Sequence, residues 1–375
     1  VLTWLQVLFW LTVATLLYTF LGYPLLIGLL ARCVRRPVRQ AEITPGVTLL
    51  IPAYNEAPVI ARKIENSLAL DYPPEWLEIV VVTDGSDDET VDITASYADR
   101  GVRLYHQSQR QGKIAAINRV MPQVEHEIVV FSDANAMIER GALRALVRNF
   151  ADPSVGGVAG EKRVLSGGEG LYWRYESFLK RCDSALSSVM GAAGELFAIR
   201  RCLFEPPPLD TLLDDFVISL RLVEAGWRVV YEPEAFVTEE PSPTLEGEWR
   251  RRTRNAAGGF QAIRRLSGLL NPAYGRIAWQ YLSHRVLRWA VTPFLLPLVY
   301  VLNLPLLEWP FYRLIFLVQT AFYAAALLGY ALTRHGMKRG PLYAVFYFCF
   351  TNLVAIAGFW RYITGTQPVT WDKAR

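Results

Sequence analysis

The sequence predicts an α/β domain built on a Rossmann-like parallel sheet and flanked by apolar segments long enough to cross a bilayer. Three observations predict it. Between residues 47 and 131, apolar runs of strand length alternate with stretches of helical periodicity. Acidic residues gather where those runs end. Charge-free stretches occupy residues 4–31, 289–307, 314–333 and 341–360, each about long enough to span a hydrocarbon core of roughly 30 Å.

Taken in order, residues 1–31 read as an N-terminal transmembrane helix, followed at once by Arg32, Arg35, Arg36 and Arg39. The apolar run is too long for a signal peptide and lacks a positive leading region and a small-residue cleavage site, so it reads as a retained anchor. The basic flank places the next domain, residues 40–275, in the cytoplasm, and Arg334, Lys338 and Arg339 place the loop between the last two spans there too. Four spans then put both ends outside, against which Arg361, Lys373 and Arg375 make the tail, 365–375, mildly basic.

Inside the domain, Val47 to Pro52 is a first strand, leading into Ala53-Tyr54-Asn55-Glu56, and a helix with Val59, Ile60, Ile64 and Leu68 on one face follows. Leu77 to Thr83 is a second strand ending in Asp84-Gly85-Ser86-Asp87-Asp88. A helix from Thr90 to Tyr97, a short strand Val102–Tyr105 and a helix opened by Gly112-Lys113 come next. Glu127 to Phe131 is a buried strand that stops at Ser132-Asp133-Ala134-Asn135. This alternation implies parallel strands, whose C-terminal ends share one edge, where ligands of open α/β sheets bind. Glu56, Asp84, Asp133 and Asn135 therefore meet at one edge, with Lys113 beside them. Singly, each acid is an ordinary cap or turn residue. Together, acids and a lysine suit a nucleoside diphosphate and its metal ion.

The second half is less regular. Gly170 to Met190 reads as a helix carrying Tyr172, Trp173, Tyr175 and Phe178, and aromatics at that spacing are more often core than sugar platform. Gly191 to Glu195 leads to a short strand Leu196–Ile199. Asp214 and Asp215 precede a helix through Glu224, as N-caps or as a general base. Gly226 to Tyr231 is a turn and a strand. Glu248 to Arg254 holds four arginines in five residues, either a solvated face or a phosphate clamp. Residues 277–288 read as an interfacial helix, with Trp279, Tyr281 and Leu282 opposite His284, Arg285 and Arg288, ahead of a C-terminal membrane region at 289–364.

Several classes are excluded or disfavoured. Neither a Walker A motif nor a G-x-G-x-x-G fingerprint is present, which argues against an ATPase and a dinucleotide enzyme. Cys33, Cys182, Cys202 and Cys349 have no metal-like spacing and read as free thiols. The net charge of +4 arises with arginine clusters beside the apolar segments, which suits anionic lipid and gives no reason to invoke nucleic acid. Four spans leave little room for the paired repeats of a transporter.

The ordered series VTLLIPAYNE, VVTDGSDDET, QGKIAAINR, VVFSDANA, GELFAIRR, LLDDFVISLRLVEAGWRVVYEP and EWRRRTR resembles the inverting family 2 glycosyltransferases of GT-A fold, over roughly residues 45–260. It is most similar to the membrane branch containing hyaluronan, chitin, cellulose and poly-N-acetylglucosamine synthases. The resemblance implies that Ala53, Tyr54, Glu56 and Asp84 hold the nucleotide base, usually uracil, and that Lys113 lies by the phosphates. It implies that Asp133 and Asn135 stand at the D-x-D motif for Mg²⁺ or Mn²⁺ and the diphosphate. Asp215 matches the general base, with Asp214 in place of the preceding glutamate, and Gly194, Glu195, Leu196 and Phe197 match the acceptor segment. Two departures stand out. The D-x-D motif ends in a neutral Asn135. The Q-x-x-R-W motif of processive members is reduced to Arg251-Arg252-Thr253-Arg254-Asn255, which keeps only Arg254, although Arg251 and Arg254 still suit a diphosphate. The implied activity is transfer from a nucleotide sugar, UDP-linked by expectation, to a growing glycan at a bacterial plasma membrane. Single addition to a lipid-linked acceptor is the alternative. A non-catalytic sugar-binding protein of the same fold is a remote third.

Overall fold

The computed structural model describes residues 2–164, 170–239, 244–337 and 340–370. Lys338, Arg339, Lys373, Arg375 and the side chain of Tyr172, named above, lie outside the described residues. The chain opens with α1 (Leu2–Leu17) and α2 (Tyr23–Cys33), joined through a π-helical turn at Tyr18–Gly22. The domain follows as β1 (Val47–Ala53), α3 (Ala57–Leu68), β2 (Leu77–Asp84), α4 (Thr90–Ala95), β3 (Val102–Gln107), α5 (Lys113–Val120) and β4 (Ile128–Phe131). Its second half comprises β5 (Met137–Ile138), α6 (Ala142–Val147), β6 (Val155–Val164), α7 (Gly170–Leu186), β7 (Phe197–Arg200), α8 (Asp214–Glu224), β8 (Arg228–Glu239) and α9 (Leu245–Arg265). Then come α10 (Arg276–Tyr281), α11 (Thr292–Asn303), α12 (Pro310–Arg334) and α13 (Pro341–Ile363).

The eight strands form one sheet in the order β3-β2-β1-β4-β7-β6-β8-β5. The expected parallel half is present: β1 pairs in parallel with β2 and β4, and β2 with β3. The other half is mixed, because β7 runs antiparallel to both β4 and β6. Alternation along each strand covers both faces. Leu49, Ile51, Ile79 and Val81 pack with Ile60 and Ile64, whereas Leu50, Val80 and Val82 pack with Ile117, Val120 and Val217. Each such side chain contributes about 1.5–3 kcal/mol when fully buried.

Strand β6 has no counterpart in the sequence reading. Gly156, Gly157 and Gly160 lower its strand propensity, yet a Cβ at Gly160 would lie 2.7 Å from the Ala235 carbonyl oxygen of β8. The glycine is there for close strand approach.

Among the described residues four helical stretches are long and apolar enough to cross a membrane: Thr3–Cys33, Arg276–Leu306, Pro310–Arg334 and Pro341–Ile363. The amphipathic stretch 277–288 is the first part of the second of these and does not stand apart from it. Its polar side faces the domain rather than a lipid surface. His284 Nδ1 lies 2.5 Å from Asp183 of α7, which also accepts from Tyr23 of α2 at 2.5 Å and Gln280 at 2.9 Å. Arg285 and Arg288 both donate to Glu176, at 2.9 and 2.7 Å. Burial raises the Glu176 carboxyl, but these guanidiniums outweigh it and hold the group well below its usual range. Buried ionic groups survive only when paired in this way. The network ties the first apolar helix, the domain and the helix after it into one unit.

Candidate active site

The expected loops meet at the C-terminal edge of the parallel strands, in a cavity of about 1480 Å³. At one end, Ala53, Tyr54, Glu56 and Asp84 line it, and the Arg110 guanidinium lies 3.7 Å from the centre of the Tyr54 ring. Asp84 Oδ2 accepts the backbone N–H groups of Gln111 and Gly112 at 2.8 and 2.6 Å. Those bonds hold the loop ahead of α5, where Gly112 takes φ +103°, a conformation that favours glycine. Asp84 Oδ1 is buried without a hydrogen bond among the described residues and is ion-paired with Arg119 at 3.5 Å.

Deeper in, Lys113 Nζ joins Asp133 at 2.9 Å to Asp214 at 3.1 Å. Burial works against its charge, but Asp133, Asp214 and Asp215 together raise its pKa. Asp215, which begins α8 with Asp214, is pushed up to about 7, first by burial and then by the charge of Asp214. Opposite it stands Gly194, whose Cβ position would be 3.4 Å from Asp215 Oδ2 and 3.6 Å from Lys113 Nζ. A carboxyl group poised near neutrality, a lysine and an open wall thus share one space, as general-base chemistry requires.

Asn135 lines the cavity and donates from Nδ2 to Glu239 at 2.5 Å. Glu239 in turn is paired with Lys162, whose ammonium also binds Glu195 at 2.6 Å. Burial raises the Glu195 carboxyl, but Lys162 outweighs it and holds the group down to about 2. Arg251 and Arg254 of α9 line the same cavity. Arg251 pairs with Glu248 at 2.8 Å, whereas Arg254 Nε is buried without a hydrogen bond among the described residues.

Two expected residues are placed elsewhere. Leu196 and Phe197 are each 1% exposed and belong to the core, Phe197 stacking on Phe131 at 4.6 Å. The strand turns those side chains to the two faces of the sheet, so of the acceptor segment only Gly194 and Glu195 line the cavity.

Lys63 is among the residues that the sequence reading missed. Lys63 of α3 is fully buried and donates to Ser132 Oγ at 2.7 Å and to the Ala136 carbonyl at 2.5 Å, bracketing Asp133–Asn135 from beneath. Burial brings its amine down to about 7, against the pull of Asp133. A lysine on the Ile60–Ile64–Ser67 face was the available signal.

Residues 45–258 match the model of the family described as "Glycosyltransferase like family 2". The chain belongs to the family 2 glycosyltransferases. It is 27% identical over 243 residues to poly-beta-1,6-N-acetyl-D-glucosamine synthase of Staphylococcus aureus (strain COL), covering 62% of this chain and 58% of that protein. It is 29% identical over 236 residues to the probable glycosyltransferase YdaM of Bacillus subtilis, covering 58% and 56%. The chain therefore spans under two thirds of these curated relatives. Among solved structures it resembles the mannosyltransferase PcManGT from Pyrobaculum calidifontis in complex with GDP-Man and Mn²⁺. The TM-score is 0.72 at 26% identity, over 95% of this chain and 99% of the other. In this family 2 glycosyltransferase the sheet and flanking helices thus follow a GT-A fold with candidate membrane spans on either side.

Proposed function

We propose that the chain transfers a sugar, with inversion, from a nucleoside diphosphate sugar to an acceptor hydroxyl, and that Asp215 is the general base. The observation that carries this reading is the Asp133–Lys113–Asp214 bridge, with Asp215 facing Gly194 in the same cavity. The nucleotide base enters at the end of the cavity lined by Ala53, Tyr54, Glu56 and Asp84. The acceptor oxygen gives its proton to Asp215 as it attacks the anomeric carbon from the Gly194 side. Lys113, Arg251 and Arg254 lie where negative charge grows on the departing diphosphate. No covalent enzyme nucleophile is required.

Asp133 and Asn135 offer hard oxygen donors that fit Mg²⁺ or Mn²⁺. Among the described residues no group of three or more His, Cys, Asp or Glu side chains is disposed to hold a metal. When bound, such an ion supplies positive charge to the diphosphate.

The exposed Arg32 in the last turn of α2, with Arg35, Arg36 and Arg39 after it, supports a cytoplasmic domain at a bacterial plasma membrane. For the acceptor, the synthase likeness favours a growing glycan, and the reduced arginine motif favours single addition. The test is a screen of UDP- and GDP-linked sugars with Mg²⁺ or Mn²⁺, followed by product length on a labelled donor. A ladder marks repeated extension and a single added sugar marks one transfer. Turnover of none of these donors overturns the proposal.

A further inference from the structure

The wall opposite Asp215 is tied to the helix that carries Asp215 by a buried hydroxyl. Ser219 of α8 is 1% exposed and lies one turn beyond Asp215. Its Oγ donates back to the Asp215 carbonyl at 2.7 Å, with the Phe216 carbonyl as the alternative at 3.1 Å. A serine inside a helix commonly does this much and serves only its own helix. Here the same oxygen also accepts the backbone N–H of Ala192 at 2.9 Å. Ala192, Ala193 and Gly194 line the cavity, so the bond joins the wall to the base-bearing turn.

The residues before Ala192 are held at the same helix end. The Met190 carbonyl accepts from Arg285 Nε, and the Arg285 guanidinium lies 5.6 Å from the centre of the Phe216 ring. Gly191 takes φ +100°, and a Cβ there would collide with that ring. Three consecutive residues thus meet Arg285, Phe216 and Ser219 in turn. Packing on a ring tolerates sliding, whereas a hydrogen bond is directional, and the one from Ala192 ends on the turn that follows the base. Two residues on, the Cβ position of Gly194 is 3.4 Å from Asp215 Oδ2. An acceptor oxygen, or water in its place, must enter that gap to reach the carboxylate. A displacement of about 1 Å there can cost about 10²-fold in rate.

We infer that Ser219 is a positioning residue, which sets the gap between the general base and the acceptor wall by holding Ala192 to the turn that carries Asp215. It does not line the cavity, and it acts through Asp215 and Gly194. This rests on the transferase reading above and adds the residue that spaces the two sides of its site.

The test uses the full chain in phosphatidylcholine nanodiscs with UDP- and GDP-linked hexoses and Mn²⁺, read as release of nucleoside diphosphate. Ser219→Ala is expected to lower kcat by about 10- to 100-fold while the donor KM and the affinity for UDP and GDP stay within about twofold. Ser219→Thr keeps a hydroxyl that can bond the same carbonyl and should restore most of the rate. An unchanged kcat in Ser219→Ala overturns the proposal, as does a loss that appears in KM or that threonine fails to restore in a folded protein. Hydrogen exchange at the Ala192 amide gives a readout free of turnover: it should be slow in the native chain and at least about tenfold faster in Ser219→Ala. If Ser219→Ala does not fold, the native chain decides, and an Ala192 amide that exchanges as fast as in an unfolded peptide overturns the proposal. Release of no nucleoside diphosphate by the native chain refutes the transferase reading, while exchange at Ala192 still reports on Ser219.

Discussion

Neutralising Asp214 moves the pH at which the enzyme switches on. If Asp215 is the general base, as proposed, it acts only when deprotonated, so the rate falls as pH falls through its pKa, which stands at about 7. In the native chain kcat/KM at pH 6 is then about a tenth of its plateau, declining about tenfold per unit below that. Asp214→Asn removes the second cause of this elevation and leaves burial, the larger one, in place. It also releases Lys113 from a carboxylate at 3.1 Å, so more of the ammonium's field falls on Asp215. Both effects favour the carboxylate. The acid limb should shift down by about one pH unit, equivalent to about 1.4 kcal/mol. The measurement is transfer rate against pH from 5 to 9 with donor held below KM. An acid limb that stays put, or moves upward, refutes the coupling of the two aspartates.

Asp215→Asn keeps the shape of the site but not the base, and should lower kcat by about 10²- to 10⁴-fold while nucleoside diphosphate binding is retained; calorimetry alongside the rate assay checks both halves. Lys63→Met removes two charge-assisted hydrogen bonds worth about 1.5–3 kcal/mol each, offset in part by relief of a buried amine. A net loss of about 2 kcal/mol in stability is expected, with weaker Mn²⁺ binding in an EPR titration, and unchanged Mn²⁺ affinity would show that the lysine does not position the Asp133–Asn135 loop. Asp183→Ala leaves Tyr23, Gln280 and His284 without their shared acceptor and should cost about 3–5 kcal/mol. Thermal unfolding in detergent should show that loss as an earlier transition.

The parallel half of the sheet was legible because β1 to β4 are apolar runs closed by turn chemistry, and that pattern alone brings Glu56, Asp84, Lys113 and Asp133 to one edge. The rest depended on pairings without a local signature. Gly156, Gly157 and Gly160 hide β6 from any propensity argument, since they make room for neighbours, Gly156 for Trp227 and Leu203, Gly157 for Leu222 and the Ala198 carbonyl, and Gly160 for the Ala235 carbonyl of β8. Lys63 broke an otherwise apolar helix face, a disagreement between pattern and residue that marks a functional loop lying above it. The polar face of 277–288 has the periodicity of a membrane-surface helix, and only the opposing Asp183 and Glu176, about a hundred residues earlier, show that it docks on protein.

Glu239 shows the same limit and explains the unusual Asn135. The antiparallel pairing of Met137 with Thr238 sets the next residue, Glu239, beside the loop, and its carboxylate accepts from Asn135 Nδ2 at 2.5 Å. An aspartate at 135 would point a second carboxylate at Glu239, whose ion-pair partner Lys162 is already shared with Glu195. The neutral residue is therefore matched to its neighbour, and restoring the family's D-x-D by itself should not improve metal binding. Asn135→Asp alone should weaken Mn²⁺ binding in the presence of nucleoside diphosphate, by about tenfold for a like-charge contact of about 1.4 kcal/mol. Asn135→Asp combined with Glu239→Gln exchanges donor and acceptor across the same contact and should recover most of that loss. The cycle is read by EPR of free Mn²⁺, and additive single effects would show that Glu239 does not orient Asn135.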